Sequence, residues 1–285
     1  MLCSIENQTA EKLATKMLGE RLGEIKTDYS HVSENISFKV NNLSAKFNDP
    51  FFTDLKNINF QVKSGEIYGI AGVAGNGQSE LMDILIGENC SIDSGEIIFK
   101  KNNIESFNPQ QRRDLSIAFV PENRLGHSAV PELTLSENIL LSQFPNNNFS
   151  NLGILNKKFI EEYANKVINN FNVVTPGSDT KASSLSGGNL QKFVIGREIS
   201  SNPKLLIISH PTWGIDAGAE YSIRQSLINL AKNGTSIIVL SQDIDELIEI
   251  THRMAVIYDG SLSESFITKE IDITKLGLLM GGKND

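Results

Sequence analysis

Five short, continuous apolar runs limit what this chain can fold into. "IYGIA" begins at Ile67, "IAFV" at Ile117, "LLII" at Leu205, "SIIVL" at Ser236 and "MAVI" at Met254. Each has the length of a strand and shows no polar alternation, which is the pattern of a sheet covered on both faces. Between several of them lie segments with apolar spacing near 3.6, at 161–171, 189–199, 219–230 and 244–250. Strands alternating with helices predict an α/β class with a mostly parallel core sheet. Two other stretches, from Ile36 and Leu55, alternate as strands do, and "SGEIIFK" at 94–100 looks like another sheet edge. "YDGSL" at 258–262 is a tight hairpin signal, and 144–151 is a polar loop. The first 35 residues differ in texture: 9–22 reads as a short helix with Leu13, Met17 and Leu18 on one face, followed by a linker.

Length and charge remove several classes. A chain of 285 residues suits one large domain, or one domain with an appendage. The net charge of −8 and the lack of a basic stripe argue against a nucleic-acid binder. No apolar run approaches the roughly 18 residues of a membrane span, and no basic segment precedes an apolar one as in a secretory signal. Cys3 and Cys90 have neither metal-like nor C-x-x-C spacing, so they read as reduced thiols of a cytosolic protein.

The sharpest chemical signal is "GIAGVAGNGQSEL" at 69–81. From Gly72 to Ser79 it matches the phosphate-binding pattern G-x-x-x-x-G-K-[ST] except that the lysine is Gln78. Glycines at Gly72, Gly75 and Gly77 let backbone N–H groups approach phosphate oxygens, and the following helix adds its dipole. G-x-x-x-x-G alone more often describes a turn without a ligand; the strand before it and the helix after it favour the phosphate reading. Gln78 donates hydrogen bonds but brings no charge, and losing one side of a buried charge pair costs roughly 2–5 kcal/mol. A second stretch, "SSLSGGNLQKFVIGREI" at 183–199, places Leu185, Ser186, Gly187 and Gly188 directly before an amphipathic helix. A serine hydroxyl and free N–H groups at a helix start make an anion site, or simply a capped helix with two glycines.

Taken together these elements resemble an ABC-transporter nucleotide-binding domain, with "LSGGNLQK" similar to that family's signature, over about residues 36–281. The resemblance implies a P-loop NTPase fold with an antiparallel β subdomain and a helical signature subdomain at about 123–200. It implies ATP and Mg²⁺ as ligands. Phe47 falls where the family has an adenine-stacking aromatic, although it reads equally well as a core strand residue. Gly72, Gly75, Asn76, Gly77, Gln78, Ser79 and Glu80 would line the nucleotide, with Ser79 nearest the metal. Leu185, Ser186, Gly187, Gly188, Asn189 and Gln191 would face the ATP of a partner, and Gly214, Ile215 and Asp216 would form the D-loop.

The departures from the family pattern fall on its charged positions. Glu122 stands at the Q-loop glutamine, Ser209 and His210 replace the metal-holding Asp and the catalytic Glu, and Gln242 replaces the switch histidine. Phosphoryl transfer rests on positioning plus charge stabilisation, and loss of the base alone costs about 10²–10⁴ in rate. His210 as a substitute base is disfavoured, because no Asp beside it holds the metal. In this family two domains sandwich ATP between the P-loop of one and the LSGG of the other. The chain therefore reads as a half with silent catalytic positions whose signature completes the site of a first-half domain with intact Walker motifs.

The segment 9–22 resembles the joint after a preceding ATPase domain, so the chain reads as a second half, either a natural split subunit or a truncated product. "GNGQSEL", "VPENRLG" and "PTWGID" resemble nucleoside-type importers, with simple-sugar importers the close competitor. Permease subunits, an indirectly coupled substrate-binding lipoprotein and a peripheral position on the cytoplasmic membrane face follow from that resemblance. Residues 133–141, with a capped start at Ser136–Glu137, read as a helix at the permease-coupling surface or as an ordinary amphipathic helix. Two alternatives stand beside this reading: an independently active transport ATPase, and a non-transport ABC protein of translation or repair, which would carry intact motifs and basic insertions.

Overall fold

The computed structural model describes residues 30–88, 92–143, 149–151 and 153–282. The helix expected at 9–22, most of the linker, both cysteines and most of the 144–151 loop lie outside them.

The five apolar runs form the central sheet. Strands β3 (Ile67–Ala71), β6 (Ile117–Val120), β9 (Leu205–Ser209), β10 (Ser236–Ser241) and β11 (Arg253–Tyr258) lie in the order β11-β3-β10-β9-β6. All four of those pairings are parallel. Two short strands, β12 (Ser261–Leu262) and β13 (Phe266–Ile267), pair antiparallel with β11. The runs are continuously apolar because alternate residues enter two different cores. Ile67, Leu206, Ile208, Ile237 and Val239 pack on the helical side. Tyr68, Ile70, Leu205, Ile207, Ile238 and Leu240 pack on the other.

That second core is closed by an antiparallel sheet of β1 (Ile36–Ala45), β2 (Leu55–Lys63), β4 (Ile92–Phe99) and β5 (Asn102–Asn103), in the order β2-β1-β4-β5, and two further short strands, β7 (Ser150–Asn151) and β8 (Ile154–Leu155), pair with each other. Phe38, Val40, Leu43, Ile58, Phe60 and Ile97 point inward from it. Helices α1 (Gln78–Ile86) and α2 (Pro109–Asp114) belong to this region.

Among the described residues three α-helices lie between β6 and β9, α3 (Leu135–Gln143), α4 (Lys157–Asn170) and α5 (Gly187–Ser200). Then come α6 (Ala217–Lys232), α7 (Ile244–Ile250) and α8 (Ile273–Met280). The cap of α3 differs from expectation. Thr134 accepts from the Glu137 amide at 3.2 Å and its own N–H donates to the Glu137 carboxylate at 2.8 Å. The capping box is therefore Thr134–Glu137, while the Ser136 hydroxyl donates to the Ser178 carbonyl. These helices are pinned to the core by a buried ion cluster: Glu198 accepts from Arg113 at 2.8 Å and Arg197 at 2.9 Å, and Arg197 donates onward to the Ser128 carbonyl.

Candidate nucleotide and signature site

Parallel strands present their carboxyl ends on one edge, where α/β proteins place ligands. Here Ala71, Ser209 and Ser241 end the adjacent strands β3, β9 and β10. The glycine loop, the Ser209–His210 step and Gln242 are brought together by that topology alone.

The loop has the backbone its glycines predict. Gly75 and Gly77 hold φ of 81° and 107°, and Gly77 is the N-cap residue of α1, which starts at Gln78. A Cβ on Gly72 would meet Ile257 at 2.8 Å, so the loop lies directly on β11. Asn76 fastens the tip: its Oδ1 accepts from the Asp259 N–H and its carbonyl from the Gly260 N–H, both at 3.0 Å. Ser79 is exposed, whereas Glu80 is buried and its carboxylate accepts from the Thr53 amide at 2.8 Å.

Gln78 is only 7% exposed. Its Nε2 donates to the Ile70 carbonyl at 2.9 Å and the Ser241 carbonyl at 3.2 Å. The amide oxygen is buried with no hydrogen-bond partner, and the amide carbon lies close to Gly72. An acceptor oxygen inside a phosphate loop opposes phosphate oxygens, which are acceptors too. Phe47 lies beyond the end of β1, half-buried, so it is not a strand core residue; Phe52 stacks on it with ring centroids 5.6 Å apart.

His210 follows β9 with a φ of 45° and is nearly buried. Burial holds its pKa below the usual imidazole value against the opposing pull of Glu122 and Asp243. Its ring lies 5.4 Å from Trp213. A cleft of about 500 Å³ opens here, lined among others by His210, Trp213, Gln242, Asp243 and Glu246. Among the described residues no group of three or more His, Cys, Asp or Glu is arranged to hold a metal ion. Backbone amides of the loop suit an anion, and Ser209 and His210 at the end of β9 bring no carboxylate to it.

The signature stretch sits at the N-terminus of α5. Ser186 and Gly187 are exposed, and the Ser186 hydroxyl caps the helix by accepting from Asn189. Asn189 also accepts from the Val174 amide at 2.8 Å. Leu185 packs on the core. Gln191 differs from expectation: it is 3% exposed and donates to the His210 and Pro211 carbonyls at 3.3 and 3.2 Å. It holds the stretch in place instead of facing outward. Gly214 takes a φ of 68°, Ile215 packs on the core, and Asp216 caps α6 and pairs with Lys192 at 3.0 Å. Sequence reasoning missed Arg124, Thr212, Ser241 and Glu246. Glu246 was discoverable only as an acidic residue in a strand-following helix, a pattern that solvated helices share.

A P-loop NTPase core carrying an antiparallel sheet and an inserted helical region defines the class. The ABC transporter family profile matches residues 55–213, and the chain belongs to that family as an ATP-binding domain. It is 39% identical over 228 residues to the guanosine import ATP-binding protein NupO of Bacillus subtilis, covering 80% of this chain and 44% of the relative. It is 34% identical over 278 residues to the nucleoside import ATP-binding protein NupA of Lactococcus lactis, covering 98% and 54%. Against the ribose import ATP-binding protein RbsA of Oceanobacillus iheyensis the identity is 31% over 280 residues, covering 98% and 55%. The chain thus spans about half the length of these relatives. A solved dimeric bacterial ABC transporter cassette, 23% identical, superposes with a TM-score of 0.69 over 82% of this chain and all of that one, a likeness of fold. Among the described residues no helix is long and apolar enough to cross a membrane.

Proposed function

We propose that this chain is an ATP-binding half of a nucleoside or simple-sugar importer, with its own catalytic positions silent and its signature completing the ATP site of a partner half. Residues 36–281 form the ATPase domain, with the helical subdomain at about 123–200. One observation carries the reading: Gln78 commits its amide donors to Ile70 and Ser241, while Ser186 and Gly187 remain exposed at a helix start. The loss of carboxylates at Ser209 and His210 supports it. The likeness to guanosine and nucleoside import proteins favours nucleosides, with sugars next. The partner is a first-half ABC ATPase domain with intact Walker motifs. Permease subunits hold the pair on the cytoplasmic membrane face, a substrate-binding lipoprotein delivers cargo, and nucleic acid has no role.

The test is ATP hydrolysis by the purified chain, alone and mixed with a first-half domain bearing the P-loop lysine. The expected result is no turnover alone, and turnover in the mixture that falls on Ser186→Ala or Gly187→Val. Robust Mg²⁺-dependent turnover by the chain alone, lost on His210→Ala, would overturn the silent-site reading in favour of an independent ATPase.

A further inference from the structure

Glu246 plays no part in the proposed chemistry, yet it is a carboxylate only 1% exposed, between the glycine loop and the signature. Both of its oxygens are engaged. Oε2 accepts from the Ser241 hydroxyl at 2.7 Å. Oε1 accepts from the Thr212 hydroxyl at 2.6 Å and the Thr212 N–H at 3.2 Å. Each neighbour then continues in a different direction. The Ser241 carbonyl accepts from Gln78. The segment holding Thr212 presents the His210 and Pro211 carbonyls to Gln191 and the Trp213 carbonyl to the Arg124 guanidinium. Arg124 in turn lies against Gly187, and a Cβ on Gly188 would come within 3.2 Å of the Gly214 carbonyl. Hydrogen bonds, joined through the backbone of Ser241 and of residues 210–213, therefore link the residue at the lysine position to Gln191 in the first turns of α5.

We propose that Glu246 is a positioning residue: through Ser241 it is tied to Gln78, and through Thr212 it holds the segment 210–213 on which the signature rests. The inference rests on the reading that the signature serves a partner site. A domain with a working P-loop can set its helical region through its own nucleotide. Here a protein amide at Gln78 takes the fixed end, so the signature is held in one posture with no ligand at the chain's own loop. Buried polar networks of this kind specify one arrangement, because any alternative strands further buried donors or acceptors.

The experiment is hydrogen–deuterium exchange on the complete chain, comparing wild type with Glu246→Ala and Glu246→Gln. The amides to watch are 190–194, the first hydrogen-bonded turn of α5. In Glu246→Ala they are expected to exchange about tenfold faster, through easier local opening, while the β10 amides keep their protection. Glu246→Gln is expected to restore protection, because its oxygen still accepts from Thr212 and its amide donates to a reoriented Ser241 hydroxyl. In the mixture with a lysine-bearing first half, Glu246→Ala should raise KM for ATP about tenfold with kcat changed less. Unchanged exchange at 190–194 in a folded Glu246→Ala overturns the proposal. If that variant does not fold, Thr212→Val removes only the hydroxyl bond, and unchanged exchange there overturns it equally. A mixture inactive with the wild-type chain refutes the partner reading, and the exchange result on this chain alone then decides the relay.

Discussion

Restoring the missing charge, Gln78→Lys, should exchange stability for nucleotide affinity. In the wild type a neutral amide 7% exposed bonds two carbonyls at 2.9 and 3.2 Å. An ammonium there finds those two acceptors for three donors and loses most of its hydration, at a net cost of about 2–3 kcal/mol. For a domain of this size each kcal/mol lowers Tm by about 2–4 °C, so the free variant should melt roughly 5–10 °C below wild type. With Mg-ATP the sign reverses. The unpartnered amide oxygen no longer opposes the phosphate, and a charge pair forms worth about 2–5 kcal/mol. That corresponds to about 30- to 5000-fold in Kd. Circular-dichroism melts with and without millimolar Mg-ATP, together with titration calorimetry, read both effects. A variant that melts with the wild type and gains no larger nucleotide-dependent shift would refute the account of Gln78 as a structural amide in a phosphate loop.

Two further outcomes follow from buried charge. Removing Glu198, fully buried between Arg113 and Arg197, leaves Arg197 without its counterion, so Glu198→Ala should cost about 3–5 kcal/mol; a urea midpoint within error of wild type would contradict it. Asp83 is pushed up to about 6 by burial, with Glu88 and Glu80 adding to the rise and His127 opposing it. Its folded pKa lies above its unfolded value, so its contribution to stability is fully present below the unfolded value near 4 and is lost as pH rises through about 6. After screening, Asp83→Asn should therefore stabilise by about 1 kcal/mol at pH 8 and by almost nothing at pH 3.5, and equal effects at both pH values would sink the assignment.

The α/β class was legible because a two-sided parallel sheet needs continuous apolar strands, and five such runs stand in the chain. The glycine loop was legible for a local reason: positive φ at Gly75 and Gly77 and the close approach at Gly72 demand residues without a Cβ. Ser186 as the cap of α5 follows the same logic. The cap of α3 was misplaced by two residues, since "LTLSEN" offers two hydroxyls and only the position of Ser178 settles which one turns away.

Local chemistry, then, resides in the sequence: which segments are strands, where backbone must bend left-handed, and which helix starts are capped. Long-range hydrogen bonding does not. That Gln78 bonds Ser241, 163 residues away, and that Gln191 turns inward to the His210 and Pro211 carbonyls depend on the β3-β10-β9 order of the sheet. That order brings the carboxyl ends of strands distant in sequence onto one edge, and no spacing along the sequence encodes it. Glu246 is the clearest case: in one dimension it is another acidic residue on a short helix, and only the tertiary fold buries its carboxylate against three donors.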